Sequence, residues 1–279
     1  MIGVIGLGLI GGSIAKAINQ STDDVVYGFD IDPQVMQVAK LVNAVEGELT
    51  EELVPQCDII FIALYPEATR ETLRKYAPLF KKGAIVCDCC GVKGTICPTG
   101  EKLAKEHGFY FIGGHPMAGL EHSGFEYARK ALFSNASMVL VPPIGTPIAV
   151  VDRLKKLMVS IGFTNVQITT PEEHDRMIAF TSQLAHVVSS AYIKSPQAPT
   201  HSGFSAGSYK DLTRVAKLNE VMWTELFLEN PDNLAGEVDN IIAELQKYSD
   251  ALHNHDAETL MALLKDGRER KEAIDGEKF

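Results

Sequence analysis

The chain is short of positive charge: 26 Lys and Arg stand against 36 Asp and Glu, a formal net charge of −10. That deficit argues against DNA, RNA or an anionic membrane as the main partner, because those ligands need a concentrated basic patch. It leaves room for a small anionic substrate, which needs only one or two well-placed cations. No segment free of charge reaches membrane-spanning length. The five cysteines are an odd number, and three fall in CDCCG (Cys87, Cys89, Cys90), with Cys57 and Cys97 apart. No paired C-x-x-C or nearby histidine completes a zinc set, so they read as small buried thiols in a reducing compartment, and no metal is expected. His253 and His255, in LHNHD, read as surface positions near a helix junction. Repeats and low-complexity segments are absent. No basic leader precedes the opening MIGVIG, which already reads as a buried strand, so a cytoplasmic location is expected.

What is present is an alternation of apolar runs and amphipathic stretches. Strands are expected at 2–6, 25–30, 58–64, 84–88, 109–114 and 136–143, with a short run at 163–170. Continuous apolar runs suit a parallel sheet covered on both faces. Helices are expected at 12–20, 33–42, 67–80, 98–107 and 147–160. Together they predict an α/β doubly wound, Rossmann-like domain over 1–168, closing with a linker helix. The texture changes at TPEE (170–173), where Thr170 can cap a helix, Pro171 suits its first position and Glu173 can close a capping box. Beyond it no convincing strand appears, and helices are expected at 171–194, 208–228, 233–252 and 256–272. An all-helical domain over 169–279 follows. The stretch MIAFTSQLAHVVSSAYI is apolar around most of its circumference, as in a helix buried in a core or between subunits.

GLGLIGGS follows the first strand directly. Its glycines Gly6, Gly8 and Gly11, with Leu9 and Ile10 between them, can make a tight turn and admit a pyrophosphate against the backbone. The second strand ends in Asp30, 22 residues beyond Gly8. A carboxylate there can accept from an adenosine ribose and repels the extra phosphate of NADP. NAD is the expected cofactor.

Substrate and cofactor meet outside the carboxyl ends of the strands in such a fold. His115 follows the fifth expected strand, and Pro116 keeps it out of helical conformation. A near-neutral histidine can take a proton from an alcohol while hydride leaves the same carbon; a structural loop histidine is the alternative. Lys93, after the fourth strand, points towards the same crevice and can orient a substrate oxygen, support the histidine, or simply be solvated. TSQLAH sets Ser182, Gln183 and His186 on one helix face, where they satisfy one another or line a pocket. SYKDLTRVAK sets Lys210 and Arg214 four apart, and Arg214 suits a two-pronged clamp on a substrate carboxylate, a surface ion pair being the alternative.

These letters resemble the prephenate and arogenate dehydrogenases of tyrosine biosynthesis over almost the whole chain. The resemblance rests on GLGLIGGS at 6–13, D..GVKG at 88–94, GGHPMAG.E.SG at 113–124, HD at 174–175, SQLAH at 182–186 and AGSYKDLTR.A at 206–216, followed by Trp223. It implies oxidation of the ring alcohol of prephenate, or of its amino analogue arogenate, with loss of the ring carboxylate. It implies that His115 is hydrogen-bonded to the substrate hydroxyl, that Arg214 holds a substrate carboxylate, and that His186 lines the substrate pocket. It further implies a homodimer through the helical domain.

Two departures stand out. The family commonly has serine where this chain has Gly91, so a neighbouring cysteine, a water or Lys93 would have to substitute. The family often reads SHLPH where this chain reads SQLAH, and Gln183 cannot transfer protons. A different class, a non-catalytic NAD-sensing or structural dimer, draws its support from the missing serine. Hydroxyacid and imine dehydrogenases share the architecture.

Overall fold

Alternate residues of the first strand face opposite ways, and both ways are buried. Ile2 and Val4 enter one apolar cluster while Ile5 enters the other. Ile59 and Phe61 against Ile60 and Ile62 repeat the division further along the chain. Burying each such side chain stabilises the fold by roughly 1.5–3 kcal/mol, which is why these runs form a sheet covered on both sides. In the computed structural model, which describes residues 1–276, the strands are β1 (Ile2–Ile5), β2 (Val26–Phe29), β3 (Gly47–Glu48), β4 (Ile59–Ile62), β5 (Ile85–Asp88), β6 (Tyr110–Met117), β7 (Ser137–Val141) and β8 (Asn165–Ile168). They form one sheet in the order β3-β2-β1-β4-β5-β6-β7-β8. The first six follow the dinucleotide-binding order, with its reversal between β1 and β4.

The helices of this part are α1 (Leu9–Ser21), α2 (Pro33–Leu41), α3 (Pro66–Tyr76), α4 (Ile96–His107) and α5 (Ile148–Ser160). All five expected helices are present, and β3 is a short strand that the apolar pattern does not announce. One expectation fails: the sheet is not parallel throughout, because β6 and β7 pair antiparallel. The connection between them holds only two 3-10 turns, Phe125–Tyr127 and Lys130–Phe133. A parallel return needs a longer crossover, usually a helix. The first of these turns instead packs on α1, where a Cβ at Gly12 would stand 2.7 Å from the Phe125 ring.

The helical part contains α6 (Pro171–Ile178), α7 (Ala185–Tyr192), α8 (Gly207–Thr213), α9 (Glu220–Leu228), α10 (Pro231–His253) and α11 (Ala257–Gly276). Thr170 caps α6 by accepting from Glu173 N at 3.3 Å. Glu173 does not complete the expected box; its carboxylate is taken by Arg176. Two of the four expected helices are interrupted. A π turn over Ala179–Leu184 joins α6 to α7, and the 208–228 stretch breaks where Asn219 caps α9 by accepting from Met222 N. Arg70 of α3 grips Glu229 at the end of α9 with two bonds, 3.0 and 2.6 Å long.

The chain divides into two compact units, Met1–Pro231 and Asp232–Phe279. The second is built from α10 and α11, with Asp256 capping α11 through Thr259. It leaves Ile242, Leu245, Leu252, Met261, Leu264 and Ile274 more than half exposed. The last three residues of the expected 169–279 domain lie outside the described residues. Among the described residues no helix is long and apolar enough to cross a membrane.

Candidate active site

The β1–α1 turn is shaped by two glycines that have no room and one that does. Gly6 has φ +87°, and a Cβ on Gly11 would stand 1.8 Å from Gly6 O. At Gly8 a Cβ would meet nothing within 4 Å, so that face of the loop, at the start of α1, is open to a ligand. Leu9 and Ile10 begin the helix. Asp30 holds this loop from the end of β2: its Oδ2 accepts from Leu7 N at 2.8 Å and its Oδ1 from Asp32 N at 2.9 Å. Each oxygen keeps a lone pair for a ribose hydroxyl. An open cleft of about 770 Å³ continues from Asp30 past Ile31, Met36 and Lys40. An open glycine, a helix N-terminus and a carboxylate beside an open cleft fit the pyrophosphate and adenosine of a dinucleotide.

The second half of the site is built around Asp88, which is wholly buried. It accepts from Cys90 N at 2.8 Å and Gly114 N at 3.1 Å, and pairs with the Lys93 ammonium. One carboxylate thereby ties the end of β5 to its loop and to β6. Burial lowers the Lys93 pKa more than any other single influence, but the charge and hydrogen bond of Asp88 together with the Cys90 and Cys97 thiols outweigh it, and the net shift is upward. Lys93 is a buried cation committed to Asp88, and it does not line the cavity described below.

His115 lies within β6, paired with Val139, rather than after the strand. Because Cys87 pairs with Ile112, His115 stands beyond the end of β5, on the carboxyl edge of the sheet. Its ring borders a small cavity of about 60 Å³ with Gly91, Ile178, Ser182, Gln183, Trp223 and Leu226. A Cβ at Gly91 would be 3.9 Å from His115 Nε2. On the other side, His115 Nδ1 lies 2.9 Å from His174 Nε2, and His174 Nδ1 lies 2.7 Å from Asp175 Oδ1. Asp175 also accepts from Lys93 N at 2.8 Å and Gly94 N at 2.7 Å. Burial above all, with the His174 ring and the Lys93 charge close by, pushes the His115 pKa well below its ordinary 6.5. The ring is therefore neutral at neutral pH and able to accept a proton.

The π turn is what aims Ser182 and Gln183 at this cavity, a use such wide turns often serve. Gln183 is nearly fully buried, donating to Leu226 O at 2.9 Å and accepting from Asn230 at 2.9 Å. His186 donates from Nδ1 to Ser182 O at 2.8 Å, and its ring lies 3.8 Å from that of Trp223. Burial lowers the His186 pKa, and the nearby positive charge of Arg214 adds to the effect. Arg214 ends α8 exposed, with no carboxylate partner among the described residues. Lys210, one turn earlier, is exposed too. Of the suggested stand-ins at Gly91, Lys93 is occupied by Asp88, and Cys90 by Thr69 Oγ1 and Leu64 O.

Sequence reasoning passed over Asn230 and assigned no role to Asp88, His174 and Asp175. A signal for the last two exists: His174 lies four residues before the apolar Ile178 on α6, which puts His174 and the adjacent Asp175, two ionisable residues, on the buried face of a short helix.

Comparison with known proteins agrees in both halves. The family described as prephenate dehydrogenase, nucleotide-binding domain, matches residues 14–166, and the one described as prephenate dehydrogenase, dimerization domain, matches 170–266. The cyclohexadienyl dehydrogenase of Zymomonas mobilis is 29% identical over 98% of this chain and 95% of its own. The prephenate dehydrogenase of Bacillus subtilis is 28% identical over 96% of this chain and 74% of its own. Among solved structures, prephenate dehydrogenase from A. aeolicus, in complex with hydroxyphenyl propionate and NAD+, superposes with a TM-score of 0.85 at 27% identity, covering 98% of this chain and 97% of that one. Synechocystis arogenate dehydrogenase superposes with a TM-score of 0.82 at 26% identity, covering 98% and 99%. The chain belongs to the prephenate dehydrogenase family.

Proposed function

We propose that this chain oxidises and decarboxylates prephenate to 4-hydroxyphenylpyruvate with NAD, as a cytoplasmic enzyme of tyrosine biosynthesis. The observation that carries the reading is a neutral, half-buried His115 whose ring borders a cavity on the carboxyl edge of a dinucleotide-binding sheet. NAD, when bound, supplies the hydride acceptor; Gly6, Gly8, Leu9, Ile10, Gly11 and Asp30 hold it.

In prephenate the carbon bearing the hydroxyl also carries the hydrogen that leaves as hydride. His115 accepts the hydroxyl proton as that C–H bond breaks. The opposite ring carbon releases CO2, and the electron pair of that bond completes the aromatic ring. Aromatisation drives the reaction forward, so the protein's work is positioning and charge. Arg214 clamps a substrate carboxylate from α8, with Lys210 adding positive charge nearby. His186, steadied by Trp223 and Ser182, lines the pocket, while Gln183 shapes its wall through Leu226 and Asn230. Lys93 acts on His115 through its charge.

The functional division follows the sequence, 1–168 for the cofactor and 169–279 for substrate and dimerisation. The exposed apolar residues of α10 and α11 support a homodimer through the helical part. Arogenate is the second reading, supported by the likeness to the Synechocystis arogenate dehydrogenase.

The test is NADH formation at neutral pH with prephenate and arogenate in parallel, for wild type and His115→Asn. Turnover on prephenate is expected, falling by roughly 10²–10⁴ in the variant while substrate still binds. Preference for arogenate would keep the chemistry and move the specificity. Wild-type silence on both, with NAD bound, would replace this reading by a non-catalytic NAD-binding dimer.

A further inference from the structure

Asp175 anchors a chain of three side chains that ends at the cavity. Both its oxygens receive backbone N–H groups, Oδ1 from Lys93 and Oδ2 from Gly94. The glycine at 94 is what permits this approach, since a Cβ there would stand 2.8 Å from Asp175 Oδ2. A carboxylate held in this way is an acceptor, so His174 Nδ1, 2.7 Å from Oδ1, carries a hydrogen. Burial lowers the His174 pKa against the opposing pull of Asp175, so the ring is neutral and holds only that hydrogen. Its Nε2 is then a bare acceptor. His115 Nδ1 lies 2.9 Å from it, and two lone pairs cannot face each other at that distance, so His115 Nδ1 donates. His115 is neutral as well, which leaves its Nε2 without hydrogen, and Nε2 is the ring nitrogen that faces Gly91.

The geometry points to His174 as a positioning residue that fixes the tautomer of His115, keeping Nδ1–H inward and presenting the Nε2 lone pair to the substrate hydroxyl. The tautomer follows from the hydrogen-bond geometry and the neutrality of both rings; its catalytic consequence rests on the dehydrogenase reading above. Without an acceptor at 174, a buried Nδ1–H has no partner, and the ring gains by moving its hydrogen to Nε2. In that form the nitrogen facing the cavity is a donor and cannot take the hydroxyl proton. The absence of a serine at Gly91 sharpens the dependence, because no side chain at that position can hold the ring from the cavity side.

The experiment pairs ¹⁵N NMR of histidine-labelled wild type with kinetics of His174→Leu and His174→Gln. The expected spectrum has His115 protonated at Nδ1 and bare at Nε2. His174→Leu is expected to lower kcat by roughly a hundredfold with little change in KM for the substrate. His174→Gln, whose side-chain oxygen can accept from Nδ1–H, is expected to recover most of that loss. A wild-type His115 carrying its hydrogen on Nε2 overturns the inference. So does a leucine variant with wild-type kcat, or a folded glutamine variant no better than leucine. If the leucine variant fails to fold, the wild-type spectrum decides. A wild type that turns over neither prephenate nor arogenate counts against the dehydrogenase reading, and the spectrum tests the tautomer independently of it.

Discussion

Lys93 and Asp88 form an ion pair from which solvent is wholly excluded, directly behind the strand that carries His115. Removing one partner strands the other charge. Lys93→Met is expected to cost about 3–5 kcal/mol of stability. Urea unfolding checks this, and a midpoint equal to that of wild type would contradict it. Because the Lys93 charge helps to hold the His115 pKa down, any activity left in the variant should have an acid limb at higher pH.

Two glycines three residues apart should respond to the same substitution in opposite ways. Gly8 has φ −70° and open space where a Cβ would go. Gly8→Ala is expected to fold with a stability change within about 1 kcal/mol and to raise the KM for NAD. At Gly11 the new Cβ would lie 1.8 Å from Gly6 O, so Gly11→Ala is expected to lose about 3 kcal/mol or more. Thermal melts and NAD titrations of the two variants separate the effects. An alanine at 8 that leaves NAD binding intact would move the dinucleotide off this loop.

Acid should weaken the fold before it stops the reaction. Burial depresses the pKa of both His115 and His174 in the folded chain. Below the ordinary value of 6.5 the unfolded chain takes up protons that the folded chain refuses, so stability declines as pH falls from there towards the folded values. Over the same interval His115 stays unprotonated, and kcat/KM should hold nearly level, with its acid limb below 6.5. Melts and rates across pH check both halves. An acid limb above 6.5 would show that His115 is not the depressed base described here.

Arg214 has no anionic partner of its own among the described residues, so its removal should cost the fold little. Arg214→Ala is expected to raise the KM for prephenate roughly tenfold to a hundredfold, with unchanged NAD binding. The same change removes a positive charge beside His186 and should let its pKa rise. Steady-state kinetics and a histidine NMR titration test these. An unchanged KM would remove the clamp.

Local pattern carried the first domain far. The apolar runs and the glycine turn act within a few residues of chain, and they lie where their spacing predicts, with Asp30 at the end of β2 reaching back to Leu7. Pattern was weaker at β6 and β7, whose direction depends on whether a helix or a pair of short turns fills the connection. It was weaker again in the helical part. The stretch 171–194 has helical periodicity throughout, but the π turn that aims Ser182 and Gln183 inward inserts no distinctive residue.

The sequence by itself determined the strand–turn–helix module at the start of the chain, the place of His115 at the carboxyl edge of the sheet and the change to helices after Thr170. Hydrophobic periodicity and capping are short-range, and they can be read from the letters. Only the tertiary structure decided that Lys93 turns away to Asp88, that Gln183 is held by Leu226 and Asn230, and that His174 meets His115. Those contacts join residues up to 59 positions apart. Their partners are chosen by burial, which leaves each polar atom only the acceptors and donors that packing brings within reach.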